Sequence, residues 1–253
     1  MRNNIFSKVL ILTSCISPNT FAGSVSDFTS ERRAKELTRN CLYILDKNLF
    51  DKIIIIDASP RNSFPKGINL ANYLSNLGLR KQNDIDFIEF RPSADNQTLI
   101  EEKGKGFSET KMILNVLENL EYSEKTIFFK LSGRYLIKNI ELVISNLESF
   151  FNRGVEFAIP VSNLFFKTNS IMYAFSSSFK KEKFEEICKK VSDNDGLYVE
   201  HLLYSDVFLN SFINSLRITK VLPIYPYNQE GGSCQGSYTF WRQLIKNFIY
   251  KYF

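Results

Sequence analysis

Residues 104–139 read GKGFSETKMILNVLENLEYSEKTIFFKLSGRYLIKN, and this stretch carries the clearest structural signals in the chain. Gly104 and Gly106 permit positive φ and Ser108 is a typical N-cap, so a charged turn is expected to open a helix here. The helix would have one apolar face, formed by Ile113, Val116, Leu117 and Leu120. The segment therefore predicts a glycine-containing turn followed by an amphipathic helix.

A short apolar run follows that helix after a polar break. Residues 126–135 read TIFFKLSGRY, which is rich in β-forming residues, so a buried strand is predicted. Ligands of open α/β sheets bind at the carboxyl ends of the strands. Two cations and a glycine at such an end suit an anionic ligand such as a nucleotide diphosphate. The residues at or just past this end are Lys130, Ser132, Gly133, Arg134 and Tyr135.

The remaining chain alternates apolar runs with amphipathic segments. Further strands are predicted at residues 8–14, 52–57, 85–90, 157–160, 170–175 and 218–224. Further helices are predicted at residues 31–48 (N-cap Ser30), 68–77, 140–151 (N-cap Asn139), 178–191 and 197–215. The alternation in the first half predicts an α/β fold with a mostly parallel central sheet, in a single nucleotide-binding domain.

Composition places the chain among globular proteins. Of its 253 residues, 44% are hydrophobic and 14% aromatic, which is ample material for a core and excludes a disordered chain. The net charge is +5, without a long basic block or an RNA-reading motif, so no nucleic-acid partner is predicted. No apolar segment is long enough to span a membrane.

The cysteines do not form a recognisable framework. They are widely spaced, without a C-x-x-C pair, and the chain has a single histidine. This pattern indicates buried or incidental thiols in a reducing compartment and does not predict a structural zinc site. The cysteines are Cys15, Cys41, Cys188 and Cys234.

The amino terminus supports two interpretations. An apolar run at residues 9–12, with small residues near Ala22, imitates a signal peptide, and residues 12–15 (LTSC) resemble a lipoprotein cleavage box. The run is shorter than the ~7–15 residues of a signal-peptide core, which favours a first strand at residues 8–14. An exported lipoprotein that acts as a binding or structural module is the alternative.

Several motifs resemble those of a group of bacterial glycosyltransferases that build lipopolysaccharide O-antigen and capsule. GKGFSE and FFKLSGRY are similar to that group's usual GKGYGE and KITGRY forms. Further matches, in the expected order, are residues 11–18 (ILTSCISP), 195–201 (DGLYVEH) and 231–236 (GGSCQG). These blocks are spread over nearly the whole chain, so the resemblance concerns the complete domain.

The resemblance implies a GT-A-like, Rossmann-type domain over residues 1–253 that uses a nucleotide-sugar donor. A UDP-sugar is favoured because that class is commonest for the fold. Residues 1–140 would form a nucleotide-binding half, and residues 141–240 would receive a lipid-linked or oligosaccharide acceptor in the cytoplasm. A basic, aromatic helix at residues 238–253 fits either peripheral contact with the inner membrane or packing on the domain.

The predicted diphosphate site uses cations where related enzymes use a metal. GT-A enzymes often place Asp-x-Asp after the fourth strand, but this chain has KLSGR at residues 130–134. Asp84 and Asp86 have the spacing but precede a strand, at the wrong end of the sheet. Because positive side chains can neutralise a diphosphate, a metal site is not predicted, and a divalent cation stays open as a cofactor. The nucleotide and its diphosphate are assigned to Ser14, Lys105, Lys130, Gly133 and Arg134.

Asp57 is assigned to the same nucleotide. It ends the run KIIIID at residues 52–57, which predicts a buried parallel strand. A carboxylate at such a strand end can accept hydrogen bonds from ribose hydroxyls or a base N–H, as the resemblance to GT-A enzymes also implies. A helix or turn cap is the alternative interpretation of Asp57.

Glu200 is the predicted catalytic base. An inverting transfer needs one group that accepts the proton of the acceptor hydroxyl, and a carboxylate early in a helix after an acidic glycine loop fits that role. His201 is the second candidate, although a lone histidine is often a packed or capping residue. Glu109 fits either substrate binding or complementation of a helix dipole. The other substrate-binding assignments are Tyr135, Asp195 and Tyr198.

A nucleotidyltransferase is a further functional class that the sequence leaves open, since it would use the same nucleotide-binding α/β fold. The polar loop at residues 231–237 can offer backbone N–H groups to phosphate. It lacks the Walker lysine spacing and the G-x-G-x-x-G pattern, so neither an ATPase nor a dinucleotide enzyme is indicated.

Overall fold

A computed structural model of the protein describes residues 6–17, 29–60, 63–64, 68–79, 84–159, 161–162, 167–168, 170–179, 181–209, 218–220 and 226–227. The strands are β1 (Ser7–Ser14), β2 (Lys52–Asp57), β3 (Ile85–Glu89), β4 (Thr126–Ser132), β5 (Leu136–Ile137), β6 (Phe157–Ile159), β7 (Val161–Ser162), β8 (Lys167–Thr168), β9 (Met172–Ser176), β10 (Ile218–Lys220) and β11 (Pro226–Tyr227). The helices are α1 (Ser30–Lys47), α2 (Leu70–Asn76), α3 (Ala94–Lys103), α4 (Lys105–Asn119), α5 (Ile140–Phe151), α6 (Lys181–Lys190) and α7 (Val199–Leu202), and α7 continues into a π-helical segment, Leu203–Leu209.

Seven of the described strands form one sheet, in the order β10-β6-β9-β4-β1-β2-β3. β1 pairs in parallel with both β2 and β4, and β2 pairs in parallel with β3. β9 is antiparallel to β4 and to β6, while β10 is parallel to β6. In this sheet only β9 therefore runs against the common direction, and the predicted α/β fold with a mostly parallel sheet is confirmed.

The chain changes direction across the sheet at β1. It runs outward from β1 to β2 and β3 and then returns to β4, on the other side of β1. α1 packs on one face of the sheet through Leu37 and Cys41, and α4 packs on the opposite face through Ile113 and Val116. A crevice at the carboxyl ends of β1 and β4 follows from this topology, and such switch points are where α/β proteins bind ligands.

β1 confirms the strand predicted at the amino terminus. It lies inside the sheet, where it pairs with β2 and β4, and its residues from Val9 to Ser14 are buried. It is apolar on both faces because helices cover both faces of the sheet. Cleavage before Cys15, as in the lipoprotein interpretation, would remove the strand that joins β2 to β4.

Two predicted helix caps are wrong, and a third, Asn139, is confirmed in position. α4 begins at Lys105 with Gly104 as its N-cap at φ 92°, so Ser108 lies inside the helix. α1 is capped by Thr29, whose side chain accepts from the Arg32 N–H, where Ser30 was expected. Asn139 occupies the N-cap position of α5 without a side-chain hydrogen bond to the helix. A cap depends on local backbone angles and on distant partners, which residue type alone does not specify.

The helix predicted at residues 197–215 is confirmed only in part, and residues 210–215 lie outside the described residues. α7 spans only Val199–Leu202, and the wider turns of the π-helical segment follow to Leu209. The 3.6-residue periodicity cannot distinguish these two short segments from one long helix.

The glycine-rich loop at residues 231–237, Cys234 and the basic segment at residues 238–253 lie outside the described residues. Among the helices described, none has both the length and the apolar character needed to cross a bilayer.

Candidate functional site

The sequence-predicted residues converge on the carboxyl ends of β1, β2 and β4. Ser14 and Asp57 end β1 and β2, and they are paired in the parallel register. Ser132 ends β4, and Gly133 and Arg134 follow it directly. Gly133 donates its N–H to the Thr13 carbonyl over 2.8 Å, which brings the ends of β1 and β4 together.

Asp57 stabilises the turn that follows β1. Its side chain accepts hydrogen bonds from the Ser14 hydroxyl at 2.5 Å, the Ile16 N–H at 3.0 Å and the Ser59 N–H at 2.9 Å. Asp57 and Ser14 are both buried. The Asp57 carboxylate thus accepts from the protein and the Ser14 hydroxyl donates to it, and contact of these two groups with a nucleotide stays a prediction. The turn-cap alternative describes Asp57.

Lys130 is fully buried, and protein acceptors surround its ammonium group. Its Nζ lies 2.7 Å from Glu109 Oε1, and it donates to the Ser170 carbonyl at 2.6 Å and the Ser132 hydroxyl at 3.0 Å. The alternation along β4 places Lys130 on the face covered by α4, where the ring of Tyr173 lies 5.4 Å away. Three acceptors thus match the three N–H donors of Lys130, and its role in diphosphate recognition stays a prediction.

Glu109 is the buried counterion of Lys130. Its Oε1 also accepts from the Thr13 hydroxyl at 2.8 Å, and its side chain is 15% exposed. Burial by itself would raise the pKa of Glu109, but the positive charges of Lys130 and Lys105 and the hydrogen bonds from Lys130 and Thr13 outweigh it and lower that pKa. Glu109 therefore forms an internal ion pair with Lys130, and substrate binding by Glu109 stays a prediction.

Glu200 belongs to the same network. Its Oε1 accepts from the Ser170 hydroxyl at 2.5 Å, and the carbonyl of Ser170 accepts from Lys130. Burial lowers the pKa of Lys130, while the carboxylates of Glu109 and Glu200 act in the opposite direction. Glu200 is half-buried, so this carboxylate lies close to the buried cation and still reaches the surface of the domain.

The neighbours of Glu200 are more exposed. The ring of His201 lies 5.6 Å from that of Tyr198 in an edge contact, and Tyr198 is 46% exposed. Asp195 is exposed and accepts from the Ser192 hydroxyl at 2.6 Å. Tyr198, His201 and Asp195 are thus exposed, and their contact with a substrate stays a prediction. Tyr135 lies in the turn after β4, where its N–H donates to the Ser132 carbonyl.

Gly133 allows the end of β4 to approach α1 closely. A Cβ at this position would lie 2.5 Å from Leu37 Cδ1 and 3.3 Å from the Thr13 carbonyl oxygen. The Gly133 carbonyl accepts from Asn40 Nδ2 of α1 at 2.9 Å. Gly133 is thus required for this packing, and its direct contact with a ligand stays a prediction.

Arg134 and Lys105 remain as the cations of the site. Arg134 is half-buried, and its Nη1 has no hydrogen-bond partner among the described residues. Lys105 is exposed at the start of α4. Both act electrostatically on Cys15, whose thiol pKa is raised to about 12 by burial and by Asp57 against the opposing effect of Arg33, Lys105 and Arg134. The thiol is therefore protonated at neutral pH.

The sequence interpretation missed Arg33. This residue of α1 is 6% exposed, and its Nη1 donates to the Cys15 carbonyl at 2.8 Å. Burial and the neighbouring Arg134 guanidinium lower the pKa of Arg33. The available signal was its spacing, since Arg33 lies four residues before Leu37 and eight before Cys41, on the apolar face of α1.

Asp193 was missed as well. Its side chain accepts the Gly106 N–H at 2.9 Å, and its own N–H donates to the Lys103 carbonyl at 2.7 Å. A Cβ on Gly104 would lie 2.9 Å from Asp193 Cβ, and one on Gly106 would lie 2.8 Å from Asp193 Oδ1. Burial raises the pKa of Asp193, against the lowering effect of the Gly106 hydrogen bond. The two glycines therefore make room for a side chain that caps α4 from a distant loop.

The described part of the chain contains no cluster of three or more His, Cys, Asp or Glu side chains that could hold a metal ion. Asp86 pairs with Lys52 at 2.7 Å, at the far end of β2 and away from the crevice. Cys15, Cys41 and Cys188 are free thiols.

The chain matches no protein-family model and no curated protein. Among solved structures it is similar to a 4-diphosphocytidyl-2C-methyl-D-erythritol synthase from Anaerococcus prevotii, with 11% identity, a TM-score of 0.45 and coverage of 97% of this chain and 98% of that chain. A putative nucleotide-diphospho-sugar transferase from Desulfovibrio desulfuricans is similar with 12% identity and a TM-score of 0.45, over 85% and 79% of the two chains. Mouse xyloside xylosyltransferase 1 has 12% identity and a TM-score of 0.41, over 85% and 84%. These similarities are too distant to assign an activity.

Proposed function

We propose that the protein is a glycosyltransferase that moves a sugar from a nucleotide-sugar donor to a lipopolysaccharide O-antigen or capsule glycan. The observation that carries the proposal is the arrangement at the switch point of the sheet. Lys105 and Arg134 lie near Cys15, Arg134 Nη1 has no hydrogen-bond partner among the described residues, and the Glu200 carboxylate belongs to the charged network around the buried Lys130. Glycosyl transfer needs both elements, since it must bind an anionic leaving group and remove a proton from the acceptor.

The leaving group of the proposed reaction is a nucleoside diphosphate. Arg134 would donate to its phosphate oxygens, and Lys105 would add positive charge from the start of α4. Lys130 would act without contact, because its buried position fixes a positive charge beneath the crevice. With these cations in place of Asp-x-Asp, we propose that transfer does not require a divalent metal.

Glu200 is the proposed base of an inverting transfer. Inversion is a single displacement, so one positioned carboxylate accepts the acceptor proton while the glycosidic bond forms. The Ser170 hydroxyl holds one oxygen of Glu200 at 2.5 Å, and Lys130 holds the carbonyl of the same serine. Tyr198 is exposed beside it, with the ring area needed to stack on a sugar.

The resemblance to O-antigen and capsule transferases supports the finer assignment. It favours a UDP-sugar as donor, a lipid-linked or oligosaccharide glycan as acceptor, and work in the cytoplasm at the inner membrane. GKGFSE forms the start of α4, and FFKLSGRY forms β4 and the turn that carries Arg134. Both motifs thus border the proposed site.

The test is a transfer assay with purified full-length protein. UDP-, GDP-, CMP- and dTDP-sugars are offered with a lipid-linked oligosaccharide, after exhaustive chelation and with added Mn²⁺. The expected result is sugar transfer from one donor class, with inverted anomeric configuration, that persists after chelation. Activity that is lost on chelation and restored by Mn²⁺ would contradict metal independence. Coupling of a nucleoside triphosphate to a sugar phosphate, without sugar transfer, would identify a nucleotidyltransferase instead.

A further inference from the structure

Two arginines, Arg33 from α1 and Arg134 after β4, lie near Cys15 at the carboxyl end of β1. Burial is the main cause that lowers the pKa of Arg33, the Arg134 guanidinium adds to it by charge repulsion, and Glu36 and Asp57 act in the opposite direction. Neither forms an ion pair with any residue that the structure describes. Like charges held together in a desolvated position oppose folding unless an anion balances them.

Both guanidinium groups also have buried donors without acceptors. Nε of Arg33 and Nη1 of Arg134 are buried with no hydrogen-bond partner among the described residues. Arg33 itself is 6% exposed, and its Nη1 donates a hydrogen bond to the Cys15 carbonyl. Buried polar groups in native proteins are nearly always paired, and an unpaired donor on a cation is the more costly case.

The surrounding structure fixes both side chains at the crevice. α1 carries Arg33 on the face that packs on β1, through Leu37. Gly133 brings the end of β4 against that same leucine and against Thr13, so Arg134 starts from the strand next to β1. Arg33 is the more deeply buried of the two, and Arg134 is half-buried at the opening.

We infer that Arg33 and Arg134 form a two-arginine clamp for a diphosphate group, with Arg33 as a binding residue that the sequence did not reveal. The planar guanidinium presents paired N–H donors that match phosphate oxygens, and a diphosphate carries enough charge to balance both arginines. The inference deepens the proposed function and rests on it for the identity of the ligand as the diphosphate of a nucleotide sugar. The anion chemistry itself can be tested without sugar transfer.

The experiment is calorimetric titration of the full-length protein with inorganic pyrophosphate, UDP and uridine. Arg33→Met removes the cation and keeps much of the side-chain volume, and Arg134→Met does the same at the second position. Arg32→Met is the matched control, because Arg32 is the adjacent residue of α1 and pairs with Glu36. Arg33→Lys keeps the positive charge but lacks the planar pair of N–H donors of the guanidinium. This variant replaces Arg33→Met in the titrations if Arg33→Met does not fold.

We expect the wild-type protein to bind pyrophosphate and UDP. Arg33→Met and Arg134→Met should each weaken both by roughly 10- to 100-fold, the range for hydrogen bonds to charged groups. Arg33→Lys should bind with intermediate affinity, Arg32→Met should match the wild type, and uridine binding should not differ among the variants. If both arginines govern anion binding but no nucleotide sugar serves as a donor, the clamp stands and the proposed function fails.

The clamp would be overturned by wild-type affinity for pyrophosphate and UDP in Arg33→Met or Arg33→Lys. It would also be overturned if the wild-type protein bound neither anion. Sugar transfer with an unchanged KM for the donor in Arg33→Met would refute the clamp and leave the proposed function intact.

Discussion

Lys130 lies at the centre of the charged network, and its burial is possible only because three acceptors surround it. The ammonium group contacts Glu109 at 2.7 Å, with Ser170 and Ser132 as further acceptors. Glu109 in turn accepts from Thr13 of β1, so the pair joins α4 to the two central strands. Such a pair contributes little net stability relative to apolar residues, but removal of one partner leaves an uncompensated buried charge.

Glu109→Gln and Lys130→Met should therefore each destabilise the protein strongly. The expected loss in the free energy of unfolding is about 3–5 kcal/mol for each single variant, because each leaves the other charge unpaired. The double variant should lose clearly less than the sum of the two, since neither charge is then left buried alone. Urea denaturation of the four proteins measures this cycle. Additive losses would show that the two side chains do not act as a pair.

Acid should weaken the fold through Glu109. The pKa of this carboxyl is lowered from its ordinary value of 4.5, with burial opposing and Lys130 and Lys105 producing the shift. A carboxyl with a lower pKa in the folded state stabilises the fold above its unfolded pKa, and this contribution is lost as pH falls through the folded value. We expect a smaller loss of unfolding free energy on acidification in Glu109→Gln than in the wild type. Equal acid dependence in denaturation series would contradict this assignment.

Glu200→Gln should separate catalysis from binding. The amide keeps the shape and can still accept from Ser170, but it cannot take a proton. The turnover rate should fall by ~10²–10⁴-fold, the usual contribution of a positioned acid–base group, while donor affinity stays unchanged. The control is Glu121→Gln, an exposed carboxyl that precedes the amino end of β4, whereas the site lies at its carboxyl end. Near-normal turnover of Glu200→Gln, or a product of retained configuration, would exclude Glu200 as the base.

At the scale of elements, the loop at residues 192–197 joins the two proposed halves of the site. Asp193 caps α4 through Gly106, and Asn194 donates from its side chain to the Glu102 carbonyl of α3. The same loop leads into α7, which carries Glu200. The start of α4, with Lys105, and the proposed base are thereby held by one connection.

The fit between Asp193 and Gly106 should appear as strong coupling between two substitutions. Asp193→Ala removes the cap and should lower the free energy of unfolding by about 0.5–2 kcal/mol. Gly106→Ala should also destabilise the protein, because its Cβ would lie 2.8 Å from Asp193 Oδ1. The double variant removes that clash, so Gly106→Ala should cost less in the Asp193→Ala background.

Thermal and urea denaturation of these variants provide the measurement. Asp193→Asn, which keeps an acceptor for the Gly106 N–H, should be milder than Asp193→Ala. Asp195→Ala is the loop control, since Asp195 accepts from the Ser192 hydroxyl within the same loop. A Gly106→Ala cost that is the same with and without the Asp193 side chain would contradict the proposed fit.

At the scale of the whole molecule, the parallel sheet with its switch point at β1 creates the site. Because β2 and β3 lie on one side of β1 and β4 on the other, α1 and α4 diverge to opposite faces. Arg33 from α1 and Lys105 from α4 therefore approach the carboxyl ends of β1 and β4 from both faces. No single element carries the site.

The sequence predicts β1, β2 and β4 well because both faces of these strands are covered and their apolar runs are continuous. It also places Arg134 correctly after a strand end. It does not reveal the partner of Lys130, because Glu109 lies on another element and the pairing depends on which face of β4 α4 covers. The same limit applies to Asp193, which caps α4 across 87 residues, and to Arg33, whose position depends on how α1 docks.

The measurement that tests the central claim most directly is calorimetric titration of nucleotide sugars into wild-type protein, Arg134→Ala and Arg153→Ala. Arg153 is the matched control because it follows α5, where its guanidinium lies 4.9 Å from the Phe150 ring. We predict that the wild type binds one nucleotide-sugar class and that Arg134→Ala weakens this binding by roughly 1.5–3 kcal/mol, with Arg153→Ala unchanged. Equal affinity in a folded Arg134→Ala variant, or no nucleotide-sugar binding by the wild type, would contradict a donor site at the switch point.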